Sequence, residues 1–244
     1  MTRAVVQASS EPYFYLRYLI GAMLLAGATL IAIEIFALDR RLSGYFFDIA
    51  SRRFPLREHW FLERVVHVGF KYAVVALALG VLLAWGASLR AGALASYRRA
   101  LLFVFLSMLL SSSAVSVLKS VSGKHCPYDL QEYGGAVPYT GLLVPSPAGV
   151  KPGKCWPGGH ASSGFCLFAF YFAAIWMGRR QLARTALAAA LLLGFGVGMG
   201  RIMQGAHFLS HNVWSALVCW IVALSLYEAV LRRRIPPKVV DPQV

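Results

Sequence analysis

This sequence has little charge. Charged side chains make up 14% of its 244 residues against 58% hydrophobic ones, and the mean hydropathy is +0.61, a balance that soluble domains do not show. Internal repeats, low-complexity tracts and long linkers are also missing, so residues 1–244 read as one membrane-embedded domain. No basic stripe with interleaved aromatics occurs. The net charge of +14 is dispersed among loop ends, which suits anionic lipid headgroups and argues against a nucleic-acid partner.

Long apolar runs are abundant instead. A transmembrane helix needs about 20 mostly apolar residues. Six stretches approach or reach that length: Leu16–Leu38, Tyr72–Leu89, Ala100–Leu118, Ala161–Met177, Ala183–Gly200 and Asn212–Leu231. They predict an all-α integral membrane bundle of six helices. The first run exceeds the h-region of a signal peptide and reads as a retained anchor. Between Tyr45 and Phe70, apolar and charged residues alternate as in short helices lying at the interface. The glycines at 194, 196, 198 and 200 follow no strand, so they predict close helix packing rather than a nucleotide loop.

Basic loops set the expected orientation. Arg90, Arg98 and Arg99 fall between the second and third runs, Arg179, Arg180 and Arg184 between the fourth and fifth, and Arg232, Arg233, Arg234 and Lys238 at the end. With six spans these segments share the cytoplasmic side with the N-terminus. The loop from Asp39 to Lys71 also carries six arginines, diluted there by four acidic residues. The Gly- and Pro-rich segment from Lys119 to His160 then faces outward as an ordered loop over a site. Cys126 and Cys155 lie in it, Cys166 and Cys219 in helices. In an oxidising compartment the loop pair forms a disulfide, and otherwise two free thiols.

Three motifs sit at the outward ends: KSVSGKHCP from Lys119, CWPGGHAS from Cys155 and RIMQGAHFLSH from Arg201. Each brings a cation or an imidazole to the edge of an apolar run. Phosphoryl transfer needs a nucleophile, an acid for the leaving oxygen and fixed positive charge around phosphorus. His207 and His160 supply imidazoles, Lys119 and Arg201 the cations, and Gly158 and Gly159 a close backbone approach at a helix start.

These residues resemble the motifs of the type 2 phosphatidic acid phosphatases, K-x6-R-P, P-S-G-H and S-R-x5-H-x3-D, over about residues 72–231. Lys119 and Pro127 fit the first motif; Pro157, Gly159 and His160 the second; Arg201 and His207 the third. The resemblance implies that His207 attacks phosphorus to form a phosphohistidine and that His160 protonates the leaving group. Lys119, Arg201 and the Gly158 and Gly159 amides would hold the phosphate.

Four positions depart from the pattern. Cys126 stands in place of the Arg, Gly158 and Gly200 in place of Ser, and His211 in place of the Asp. Lys124 or His125 are candidates to replace the lost Arg, while His211, Asp129, Glu132 or Asn212 are candidates to orient His207.

The resulting expectation is a metal-independent, cofactor-free lipid phosphate phosphatase in a bacterial inner membrane, with its site facing the periplasm. Implied substrates are undecaprenyl pyrophosphate, phosphatidate, phosphatidylglycerol phosphate and lipid A phosphates, and surrounding membrane lipids are its other partners. Oligomeric state is not encoded in any of these features. Three alternatives stand beside it: transfer to another lipid, a lipid-phosphate-binding pseudoenzyme, and a metal hydrolase built on His207 and His211 with His125, Cys126 and Cys155. No H-E-x-x-H pattern accompanies that His pair.

Overall fold

Hydrocarbon offers no partners to backbone N–H and C=O groups, so long apolar runs must satisfy them internally as helices. The computed structural model describes residues 13–90, 92–142, 144–145 and 148–232. Arg233, Arg234 and Lys238 of the basic tail lie outside the described residues. Within them the chain is all-helical, and the only extended pairings are three isolated bridges.

Five helices are long and apolar enough to cross a membrane: α1 (Phe14–Ile35), α3 (Phe61–Ser88), α4 (Gly92–Val121), α7 (Arg180–Met203) and α8 (Leu209–Arg232). A short polar helix, α2 (Leu38–Tyr45), follows α1. Large apolar side chains such as Leu25, Leu83 and Leu192 project outward from the long helices, as lipid-facing residues do.

The expected span at 161–177 is different, because it forms two short helices, α5 (Ala161–Phe165) and α6 (Phe168–Trp176). Together they reach about 24 Å at 1.5 Å per residue, less than a hydrocarbon core of about 30 Å. Side-chain bonds back to the chain explain the break. Ser162 Oγ donates to the Gly159 carbonyl at 2.6 Å and Cys166 Sγ to that of Ser163 at 3.1 Å, and such bonds bend helices. Tight-turn bonds from Leu167 N to Gly164 O and from Ala169 N to Cys166 O then replace the α-pattern. The pair is the core of the bundle: Phe165, Ala169, Phe172 and Ala174 are fully buried among α4, α7 and α8.

A second difference decides the site. The second span begins at Phe61 rather than Tyr72, through a π-helical stretch Phe61–Gly69 that continues into Phe70–Ser88. Residues 61–70, expected at the interface, are therefore the first turns of a spanning helix. This places Glu63 and His67, one turn apart, at the bundle end that carries the motifs.

Glycines let α7 approach its neighbours. Gly194 meets Phe165, Gly198 meets the Asn212 side chain, and Gly200 faces Val66 and Leu62 of α3, while Gly196 faces open space. Following the chain, Arg90, Arg98, Arg99, Arg179, Arg180, Arg184 and Arg232 fall at the end opposite the motifs.

A Cβ on Gly164 would come within 2.7 Å of the Leu193 carbonyl carbon and closer still to Gly194. Gly164→Val should therefore lower the unfolding midpoint in detergent, an overpacking cost of about 1–3 kcal/mol. Gly196→Val, facing open space, should leave the midpoint unchanged; equal shifts in the two variants would contradict this packing.

Candidate active site

Helix ends deliver the site residues. Lys119 lies in the last turn of α4, His160 just before α5, Arg201 in the last turn of α7 and His207 just before α8. The loop over them is pinned at several points. Cys126 and Cys155 are joined in a disulfide with Cα atoms 5.1 Å apart, Gly153 N–H donates to Gly123, and Cys155 N–H donates to Lys124. Tyr128 N–H donates to the carbonyl of Gly205, which sits at φ +67° where a Cβ would strike Phe54. Asp39 fixes the start of α8, accepting from Ser210 N–H at 2.9 Å and from its hydroxyl at 2.5 Å. A carboxylate there also complements the helix dipole.

His207 is buried, and its Nδ1 faces His211 Nδ1 at 3.3 Å and Cys155 Sγ at 3.5 Å. His211 thus occupies the partner position, one turn along α8, and its ring also hydrogen-bonds the Cys155 backbone. The other candidates are placed elsewhere. Asp129 accepts from Cys126 N–H, Glu132 pairs with Arg40, and the Asn212 amide packs against Gly158 and Gly198. Burial, followed by the charges of His211, Lys119, Arg201 and His160, pushes the His207 proton affinity well below the ordinary imidazole range. Its Nε2 lies on the side of the ring away from His211.

His160 is also held low, to about 3, by burial and then by His67, Arg201, Lys119 and Lys71. Its Nδ1 is buried without a protein partner, and so is Nε of Arg201. Arg201 Nη1 donates to Glu63 Oε2 at 3.1 Å and to Gln204 Oε1 at 2.8 Å. Among the described residues no carboxylate pairs with Lys119, whose Nζ lies 3.6 Å from the Cβ position of Gly159. A larger residue at 159 would crowd that ammonium. Open donors on Arg201 and Lys119 are what an anion would satisfy.

Two expected phosphate contacts are engaged otherwise, and a third is placed elsewhere. The Gly158 N–H donates to the His211 carbonyl at 3.1 Å, and a side chain at 158 would meet Asn212 Oδ1 at 2.8 Å, so glycine serves packing here. Lys124 Nζ donates to the carbonyls of Gly141 and Val144, tying down the loop. His125 faces Asp129 at 3.9 Å. It lines, with Lys124 and His211, a cavity of about 430 Å³ between α1, α8 and the loop.

Sequence reasoning missed Glu63, His67 and Gln204. His67 Nδ1 bonds Glu63 Oε1 at 2.8 Å, His67 Nε2 meets His160 Nε2, and Gln204 Nε2 donates to Glu63 Oε2 at 3.3 Å. The signal was present as a Glu and a His four residues apart, but it lay in a stretch read as interfacial. The sulfur of Cys155 and rings of His207 and His211 offer ligand atoms within 4.8 Å of one another. Oxidised in the disulfide, that sulfur is not the thiolate a metal would need.

With this geometry in view, comparison with known proteins is decisive. The profile of the PAP2 superfamily matches residues 100–235. The chain belongs to the PAP2 superfamily. It is also 26% identical over 207 residues to the lipid A 4'-phosphatase of Francisella tularensis subsp. novicida (strain U112), covering 81% of this chain and 88% of that protein. No solved structure matches it. The superfamily match contains Lys119, His160, Arg201, His207 and His211, whereas Glu63 and His67 precede it.

The disulfide closes a loop across a sequence separation of 29. By chain entropy it contributes roughly 3–4 kcal/mol. Denatured, unreduced protein should expose two reactive thiols, Cys166 and Cys219, and reduced protein four. Reductant should lower the unfolding midpoint; four thiols before reduction would remove the bridge.

Proposed function

We propose that this protein is a lipid phosphate phosphatase that works through a phosphohistidine on His207. The observation that carries the reading is the convergence of Lys119, Arg201, His160 and His207 at one bundle end, with Nε of Arg201 and Nδ1 of His160 left without protein partners. The basic residues gather at the opposite end, and the positive-inside bias makes that end cytoplasmic. The site then faces the periplasm of a bacterial inner membrane.

In this scheme Lys119 and Arg201 hold the phosphoryl oxygens, and neutral His207 attacks phosphorus through Nε2. His211 accepts the Nδ1 proton of His207 and keeps that ring oriented, the task an acidic partner performs in other triads. His160 gives a proton to the departing lipid oxygen and later takes one from the attacking water. No step calls for a metal. The Francisella relative makes a lipid A phosphate the first substrate to test, followed by undecaprenyl pyrophosphate, phosphatidate and phosphatidylglycerol phosphate.

Purified protein should release inorganic phosphate from at least one of these lipids and keep doing so with strong chelator present. His207→Ala should reduce release by at least about 10³-fold and His160→Ala by about 10²–10⁴-fold. Acid-labile phosphate trapped on the wild-type protein, and missing from His207→Ala, would identify the intermediate. Phosphate appearing on a second lipid instead of in water would reassign the protein as a transferase.

The pH dependence has a definite sign. Because the His207 pKa is lowered, its nucleophilic form persists as pH falls below the usual imidazole value of about 6.5. Once the substrate phosphate's own ionisation at about pH 6 is divided out, log kcat/KM should therefore show no loss of the His207 base near pH 6.5 and bend down only at lower pH. An acid-side break at or above 6.5 that survives this correction would contradict the placement of His207.

A further inference from the structure

Glu63 and His67 have no part in the scheme above, yet they stand directly behind His160. We propose that Glu63 and His67 form a proton path joining His160 to bulk water, with His67 as the residue that positions the His160 ring. The proposal rests on His160 acting as the acid and base of the phosphatase reaction.

Hydrogen-bond chemistry fixes the direction of the path. Arg201 Nη1 lies 3.2 Å from His67 Nδ1, but Glu63 Oε1 is nearer at 2.8 Å and can only accept, while Arg201 Nη1 already has Glu63 and Gln204 as acceptors; His67 Nδ1 therefore carries the proton shared with Glu63. His67 Nε2 is then a lone pair, and it meets His160 Nε2, with the two rings edge-to-face and their centroids 3.7 Å apart. His160 Nε2 is therefore the protonated atom in the resting chain. Its Nδ1, buried without a partner, is the atom left for substrate. At the other end Glu63 lines a surface cleft of about 440 Å³ together with Arg57, Arg64, Tyr128 and Arg201. The chain of groups thus runs from the buried imidazole to an opening, while Arg201, Lys119 and Lys71 supply the positive charge facing it.

The protons balance over both half-reactions. A substrate phosphate arriving as its monoanion delivers one proton to His160 Nδ1. The His207–phosphorus bond forms as the phosphorus–lipid oxygen bond breaks, and that oxygen leaves with the Nδ1 proton. Water then attacks phosphorus, its proton passes to His160 Nδ1, and the phosphorus–nitrogen electron pair returns to His207. The extra proton on His160 departs through Nε2 to His67, whose Nδ1 proton moves to Glu63 and out through the cleft. The relay leaves His160 protonated at Nδ1 and His67 at Nε2; when the next alkoxide departs with that Nδ1 proton, the His67 Nε2 proton moves to His160 Nε2 and one from the cleft passes through Glu63 to His67 Nδ1, restoring both rings. Water is consumed, and alcohol and phosphate are released.

Leaving-group dependence tests the idea, since an alkoxide needs a proton to depart and 4-nitrophenolate does not. Full-length protein in detergent would be assayed on dodecyl phosphate and 4-nitrophenyl phosphate, with His160→Ala as the benchmark. For His67→Gln, kcat/KM should fall at least 30-fold on the alkyl ester and less than 3-fold on the aryl ester, the surviving aryl activity itself reporting a folded site. In His67→Ala, added imidazole should restore the alkyl activity at least 5-fold, which a packing role does not predict. Equal losses on both esters without imidazole rescue, while His160→Ala still discriminates between them, would overturn the path and leave the phosphatase reading standing. No phosphate release from either ester by the unsubstituted protein would bring down both.

Discussion

Crowding of positive groups at one end of an apolar bundle is the constraint on which the rest of this structure depends. Lys119, Arg201, His67, His160, His207 and His211 lie within electrostatic reach of one another, away from much of the water that would screen them. Two responses are visible. The imidazoles outside the helices stay neutral, and a single carboxylate, Glu63, takes bonds from Arg201, His67 and Gln204 together. Neither response saturates the cations. The remaining donors on Lys119 and Arg201 define a place where an anion is stabilised and a neutral group is not.

Holding such a cluster requires a stiff frame, and the frame is built from small residues and sulfur. Gly164 and Gly194 let α5 lie against α7, while Gly158 and Gly198 accommodate Asn212 beside His211. The Cys126–Cys155 bridge brings the end of the first motif against the start of the second and puts sulfur beside His207. Substituting Cys for the family's motif-one Arg therefore exchanges a phosphate donor for a covalent tie. His211 in place of Asp is the matching change on the other side. In the proposed scheme an imidazole there orients His207 without introducing a carboxylate that the apolar surroundings would penalise.

Much of the frame was legible because bilayer physics acts on composition. Apolar length predicted the all-α bundle, motif spacing brought Lys119, His160, Arg201 and His207 to one face, and the Gly/Pro-rich segment between them is an ordered loop. The break at Cys166 was hidden because a buried central helix and a lipid-facing span are equally apolar; back-bonding Ser162 and Cys166 mark the difference only in retrospect. The early start of α3 was hidden for the opposite reason. Charged residues at 63, 64 and 67 look interfacial until Arg201 and His160 are seen to face two of them. Superfamily likeness could not supply them either, since the matched segment begins at residue 100.

By itself, then, the sequence determined the class of the molecule and the chemical kinds of group available, because hydrophobic length and side-chain pKa are local properties. Only the tertiary structure decided partners: that Lys124 binds loop carbonyls and the Gly158 N–H serves the His211 carbonyl, and that Glu63 and His67 stand behind His160. Hydrogen bonds reach about 3 Å. Which groups come that close, across 138 positions between Glu63 and Arg201, is settled by how helices pack.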